Sequence, residues 1–321
     1  MMKTRMILVA AIAMLLTFGS GSKVLADTFG TGENQFTLDF VPISGATNPT
    51  SGYGIVNYDY RMGTCEITNA QWDKFKAAYG PVTGDPLSAY ANDFYDGGTG
   101  TTDVPTNEVS WYEAAQFVNW LNTSTGHQAA YKFTGTQGTR DYTFATWDPA
   151  DAWDGTNLYR HKDAFYFLPT EDEWVKAAYW NGTSLQPYAT KAGESLTRGD
   201  GSGTGWNYYD NGYATDPRGT WTVGSGSQEL NGTYDMMGNV WEWMESPRVS
   251  GDYNPGSSRR LRGGWWGLTS TLLHSSYRDS NIPTGESGDT GFRVASVPEP
   301  GSITLLLCVA AAAMMCRRRR K

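Results

Sequence analysis

Three capping boxes fix where helices can begin in this chain. Thr68-Asn69-Ala70-Gln71, Ser110-Trp111-Tyr112-Glu113 and Thr170-Glu171-Asp172-Glu173 each place a hydroxyl that can accept from the N3 amide while a Gln or Glu reaches back. Apolar residues follow at helical spacing: Trp72, Phe75 and Tyr79; Ala114, Phe117, Val118 and Leu121; Trp174, Ala177 and Ala178. The spacing predicts three short helices, each of about three turns or fewer, sharing one aromatic core. Between them, residues 80–106 and 122–162 are rich in Gly, Thr, Asp and Tyr and show no sustained period. With 38 Gly but also 13 Trp, the composition excludes both a helical bundle and disorder over most of the chain. Upstream, Phe36, Leu38 and Phe40 alternate with Thr37 and Asp39, a strand pattern that Pro42 is expected to end. No repeat of 20–50 residues is present, which disfavours a solenoid or propeller. The glycine run Gly199 to Gly205 lacks a following Gly-Lys-Ser/Thr and reads as a surface loop, not a phosphate cradle.

The two ends carry an address. Residues 1–26 combine Lys3 and Arg5 with an apolar run from Met6 to Phe18 and a small-residue cleavage site after Ala26, the pattern of a secretory signal peptide. At the other end, Val297-Pro298-Glu299-Pro300-Gly301 precedes an apolar run from Ile303 to Cys316 and five terminal bases. That arrangement resembles the bacterial PEP-CTERM sorting signal. The resemblance implies export, transient membrane anchoring by the terminal segment, cleavage by an exosortase-type enzyme, and a cell-surface or extracellular destination. The expected organisation is therefore a signal peptide (1–26), a β-leaning opening segment (27–49), a main domain (50–296) and a sorting segment (297–321). Setting aside the eight bases of the two ends and Glu299 takes the net charge from −8 to −15. So acidic a body repels phosphate backbones, which argues against nucleic-acid binding. Cys308 and Cys316 lie in the terminal segment, leaving Cys65 as the one thiol of the body and no partner for an intrachain disulfide.

Six ordered motifs then point to a family. They are Glu66-Ile67-Thr68-Asn69-Ala70-Gln71-Trp72, Val109-Ser110-Trp111-Tyr112-Glu113-Ala114, Phe167-Leu168-Pro169-Thr170-Glu171-Asp172-Glu173-Trp174, Tyr234-Asp235-Met236-Met237-Gly238-Asn239-Val240-Trp241-Glu242-Trp243, Leu261-Arg262-Gly263-Gly264-Trp265-Trp266 and Gly291-Phe292-Arg293-Val294-Ala295. In order and spacing they resemble the formylglycine-generating enzyme (sulfatase-modifying factor) domain over about residues 50–296. The resemblance implies an α+β fold with little regular secondary structure, related to C-type lectin domains. It also implies bound Ca²⁺ and, in catalytic members, a copper-dependent oxidase that converts a substrate cysteine to formylglycine.

Ca²⁺ takes six to eight hard oxygens, mixing carboxylates with backbone carbonyls. The family's motif places ligands at the side chains of Asp235 and Glu242 and the carbonyls of Gly238 and Val240, with Asp235 standing where Asn is more usual. A second family site would use Asn207, the Tyr208 carbonyl, Asp216 and the Arg218 carbonyl. On spacing alone, Asp235 and Glu242 read more readily as turn and surface acids, and it is the family motif that turns them into calcium ligands.

The oxidase chemistry lacks its sulfur. The family's cysteine pair falls at Thr271 and Ser276, and no cysteine occurs between Gly264 and Gly291. Hydroxyls are poor Cu(I) ligands and form no mixed disulfide, so copper is not expected as a cofactor. His127, His161 and His274 are scattered, no Gly-x-Ser-x-Gly elbow is present, and no carboxylate pair is singled out for glycoside cleavage. What remains is a surface binding reading. Trp265, Trp266, Tyr277 and Arg278, near the lost cysteine positions, form an expected cleft for polysaccharide or a protein partner, unless the tryptophans simply fill the core. The alternative is a formylglycine-generating oxidase working with other residues.

Overall fold

The structure is a computed structural model and describes residues 24–80, 82, 102–139 and 141–298. The apolar part of the signal peptide, most of residues 80–106, and the apolar terminal run with Cys308 and Cys316 lie outside the described residues. Among the described residues no helix is long and apolar enough to cross a membrane.

The chain opens with β1 (Leu25–Phe29), β2 (Phe36–Ile43) and β3 (Tyr60–Gly63), followed by α1 (Asn69–Tyr79) and α2 (Trp111–Ser124). Short hairpins come next: β4 (Lys132–Thr134) with β5 (Thr143–Ala145), and β6 (Ala152–Trp153) with β7 (Asn157–His161). After β8 (Tyr166–Phe167) and α3 (Glu171–Tyr179) the chain is irregular until β9 (Trp241–Pro247) and β10 (Arg259–Arg262), and it closes with β11 (Asp279–Asn281), β12 (Thr290–Gly291) and β13 (Ala295–Ser296). Five strands form one sheet in the order β1-β2-β3-β13-β8, and four form a second in the order β11-β10-β9-β12, with β12 parallel to β9. The expected α+β fold with few regular elements is therefore what forms.

All three capping boxes are made in both directions, and the helices start where they place them. α2 is longer than expected, at 14 residues. Trp72 and Phe117 stack at 5.7 Å between ring centroids, and Phe292 meets both edge-on, so α1 and α2 share an aromatic core. Along β2 the inward residues Phe36, Leu38 and Phe40 are buried and Thr37 and Asp39 exposed, as the alternation predicts.

Three expectations need correction. Pro42 does not end β2, which runs on to Ile43 opposite Tyr60. Beyond Phe40, β2 has a strand neighbour on one side only, an edge where a missing N–H is tolerated. Residues 122–162 are not structureless, because β4 to β7 lie within them. These strands of two to five residues are too short to show a period in the sequence. Finally, the 27–49 segment is no separate opening, since β1 and β2 are integral strands of the first sheet. Leu25 and Ala26 already pair with Phe40 and Asp39. A cut after Ala26 would trim two residues from β1 and leave Asp27, whose carboxylate holds buried Arg61 at 2.6 Å.

The second capping box has a thermodynamic consequence. Glu113 is buried; Oε2 accepts from Ser110 N at 2.8 Å, while Oε1 has no hydrogen-bond partner. Burial pushes its carboxyl up to about 8. The folded state then holds a proton that the unfolded chain releases near its ordinary value of about 4.3. This contribution is complete below that value and is lost as pH rises through about 8. Glu113→Gln keeps the box, and its stability is expected to fall less steeply than the parent's between pH 5 and 8 in urea titrations; equal slopes would refute the assignment.

Candidate functional site

The loop before β9 is held by left-handed backbone. Asp235, Gly238 and Asn239 all have φ between 57° and 82°. At Gly238 a Cβ would stand 2.0 Å from the Asn207 carbonyl oxygen, so only glycine fits. Asn239 N donates to that same carbonyl at 3.0 Å, and the Asn207 amide donates to Asn239 Oδ1 and to Gly219 O. The two expected calcium motifs are thus packed against each other.

Both first-site carboxylates are buried and already have protein partners. Asp235 accepts from Trp221 Nε1 at 2.8 Å and Gly224 N at 2.7 Å. Glu242 accepts from Arg293 Nε and Nη2 at 2.6 and 2.7 Å and from Trp174 Nε1 at 2.8 Å. Two further acids that the sequence did not single out are buried nearby, Glu66 and Glu229. Arg293 acts electrostatically on all four, and it is the cation that offsets them. Burial pushes Asp235 up, pushes Glu229 up to about 8, and lifts Glu66 well above the usual carboxylate range, with Asp235 adding to Glu66's rise. Glu66 Oε2 and Asn207 Oδ1 are buried without a hydrogen-bond partner. Four buried acids against one guanidinium leave an excess of buried negative charge, and these carboxylates with Asn207 Oδ1 are oxygens of the hard kind that a cation such as Ca²⁺ takes. Among the described residues, though, no three His, Cys, Asp or Glu side chains converge on one point. A cation here would therefore need carbonyls such as those of Gly238 and Val240, or water, to complete its shell. The second expected set is divided by burial. Asn207 and Tyr208 are buried, whereas Asp216 and Arg218 are exposed.

The family's cysteine positions lie on the segment after β10. Thr271 is exposed in a short 3-10 turn, its hydroxyl 3.0 Å from that of Thr269. Ser276 is exposed too, and its N–H donates to His274 Nδ1 at 3.1 Å, with its hydroxyl 2.8 Å from the same nitrogen. Cys65 supplies no substitute. It lines a different concavity with Leu38, Thr68 and Val223, and burial pushes its thiol upward, away from the reactive thiolate.

The expected aromatic cleft is divided in two. Trp266 is buried and Trp265 half-buried, the two rings edge-to-face at 4.6 Å. With Tyr213, Arg218 and Asp289 they line a small concavity of about 210 Å³. Tyr277 turns away and stacks on Trp241 at 5.9 Å. Arg278 points elsewhere, clamping Glu171 and reaching Tyr53 OH on the wall of a larger concavity of about 820 Å³. Neighbours in an extended segment face opposite sides, which is why Tyr277 and Arg278 part company. No local pattern in the chain signals the larger concavity, whose wall comes from β6, the start of α3 and the β9–β10 connection.

Comparison with known proteins fits this architecture. The chain is 26% identical over 319 residues to the chaperone protein LppX of Paenibacillus barcinonensis, covering 90% of this chain and 96% of that protein. It is 25% identical to hercynine oxygenase of Mycolicibacterium smegmatis (74% of this chain, 52% of that one) and 32% identical to the inactive C-alpha-formylglycine-generating enzyme 2 of Bos taurus (40% and 43%). The chain thus spans about half the length of these last two relatives. Among solved structures, Treponema denticola variable protein 1 superposes with a TM-score of 0.58 at 22% identity, covering 85% of this chain and 99% of that one. CarF gives a TM-score of 0.58 at 21% identity, over 82% and 99%. A PEP-CTERM protein-sorting motif matches residues 296–320, which marks the chain for export and for recognition by an exosortase-type enzyme. The sulfatase-modifying factor enzyme 1-like domain matches residues 25–297, taking in β1 and β2 as the sheet topology requires, and the chain belongs to that family.

Proposed function

We propose that this exported, surface-sorted protein is a non-catalytic binding module, stabilised by Ca²⁺, for a polysaccharide or a protein partner. One observation carries the reading. The two places where the family presents its thiolates hold the exposed hydroxyls of Thr271 and Ser276, and Cys65 lines a different concavity. Cu(I) needs soft sulfur, and a substrate thiol needs sulfur to exchange with. Likeness to an inactive formylglycine-generating enzyme 2 points the same way. Asp235, Glu242 and the carbonyls of Gly238 and Val240 would hold the Ca²⁺, whose role is to offset buried negative charge and fix the loop.

The test is direct. Purified protein incubated with Cu(I), oxygen and a Cys-x-Pro-x-Arg peptide is expected to leave the peptide's mass unchanged and to bind no stoichiometric copper. Aldehyde in the peptide would restore the oxidase reading and overturn this one. Glycan and peptide arrays probed in parallel are expected to yield a bound partner.

A further inference from the structure

We infer that the larger concavity is a site for an acidic saccharide, one bearing carboxylate or sulfate groups, and this inference rests on the binding reading above. In a body of net charge −15, three guanidiniums meet at this one place: Arg248, Arg260 and Arg278. Arg278 is spent on Glu171, which Arg262 also holds at 2.7 Å, so that carboxylate is already neutralised. Arg248 and Arg260 are different. Among the described residues neither forms an ion pair. Arg260 Nη2 donates only to the Arg248 carbonyl, and its Nε has no hydrogen-bond partner. Arg260 is drawn to Glu171 but repelled by both Arg278 and Arg248, and an anion between Arg248 and Arg260 relieves that repulsion.

The rest of the wall suits a sugar. Tyr53, Trp153 and Tyr253 offer ring surface for pyranose faces, and the volume of about 820 Å³ lies within the range usual for ligand clefts. Asp154 and Asp172 add carboxylates, each with one oxygen occupied by backbone N–H groups, which leaves acceptor capacity for hydroxyls. A ligand that meets both features must carry anionic groups and hydroxyl donors together. An acidic peptide is the poorer match. Its added strand would need free main-chain groups at the rim, but Arg248 N and Tyr253 N already donate to Ser258 O and Gly251 O. Ile55 and Val249, 39% and 61% exposed on the same rim, provide apolar surface that a bound chain would cover.

Calorimetric titration of the purified protein with polygalacturonate oligomers, sulfated dextran and neutral dextran tests this. At least one acidic glycan is expected to bind about tenfold or more tightly than neutral dextran, and the preferred one tells carboxylate from sulfate recognition. The double variant Arg248→Ala, Arg260→Ala, with its melting temperature checked, is expected to lose about tenfold for the acidic glycan and nothing for the neutral one. Should the double variant fail to fold, Arg248→Gln alone, at an exposed position, is expected to show the same direction. Unchanged affinity in a folded variant would overturn the inference. So would equal binding of neutral dextran, or binding of poly-glutamate but no glycan, although both leave the binding-module reading standing. Silence from every glycan and peptide would overturn the two readings together.

Discussion

Arg160→Met is expected to be among the most damaging single substitutions in this protein, costing about 3–5 kcal/mol and on the order of 10 °C in melting temperature. Arg160, Glu173 and Glu245 are each fully buried. The guanidinium grips Glu173 with two parallel bonds at 3.0 and 2.9 Å and turns Nε to both oxygens of Glu245 at 3.0 Å. Its plane lies over the Phe167 ring, 3.6 Å from the centroid. Tyr58 and Tyr131 donate their hydroxyls to the two carboxylates at 2.7 and 2.8 Å, and Asn157 donates to Glu245. Burial works against ionising Glu173, but Arg160 outweighs it and holds that carboxyl below the usual range; at Glu245 burial prevails and pushes the carboxyl up. Methionine can refill the stem of Arg160, yet it leaves two buried acids facing one another with nothing between them. Both must then protonate, or the site must open to water. Adding Glu173→Gln and Glu245→Gln to Arg160→Met removes that charge and is expected to recover part of the loss. Urea unfolding of the three proteins at pH 7 checks this, and Arg160→Met within 1 kcal/mol of the parent would refute it.

The contrast between what the sequence showed and what it hid lies in this network. Glu173 was legible as the N3 acid of a capping box, because a box is local: four residues suffice to specify it. Its second role, gripping Arg160, is not local, and its partner sits in β7, in a stretch with no readable period. Glu245 is 85 residues from Arg160, and nothing in the chain joins them except the fold. The same division runs through the functional regions. The motif around Asp235 and Glu242 was readable as a unit, but not that Glu66, Glu229 and Arg293 share its interior. Thr271 and Ser276 were readable as hydroxyls in place of sulfur, since that is a matter of residue type alone. A cleft is a matter of direction, and Tyr277 and Arg278, adjacent in sequence, face different ways. Arg248 and Arg260 are not legible as a pair, because single arginines in an acidic chain look like solvated surface until the fold sets them side by side.

Removing Ca²⁺ is expected to lower the melting temperature by about 6–12 °C, the equivalent of about 3–4 kcal/mol for a ligand present at several hundred times its dissociation constant. The reason lies in the charge around Asp235. Glu66, Glu229, Asp235 and Glu242 are all buried, and Arg293 makes its hydrogen bonds to Glu242 and to the carbonyls of Gly63, Thr64 and Tyr234. Glu66 Oε2 and Asn207 Oδ1 have no protein donor. Without a cation, the interior keeps its shape only by holding protons on acids that ordinarily release them, a cost that falls on the folded state alone. A divalent ion held by the Asp235–Glu242 loop would offset the same charge without those protons. Because the unfolded chain has no such loop, the binding energy adds to folding stability. The loop's left-handed residues allow carbonyls to turn inward but do not enforce the small, rigid octahedron that Mg²⁺ requires. Calcium added back after chelation should therefore restore the melt, and magnesium at the same concentration should restore much less of it. Asp235→Asn keeps an oxygen at the first position while removing one charge, so it is expected to weaken the calcium response without abolishing it. A chelated protein that melts with the untreated one would show that the buried acids are held by protons and Arg293 alone, and that calcium has no part in this fold.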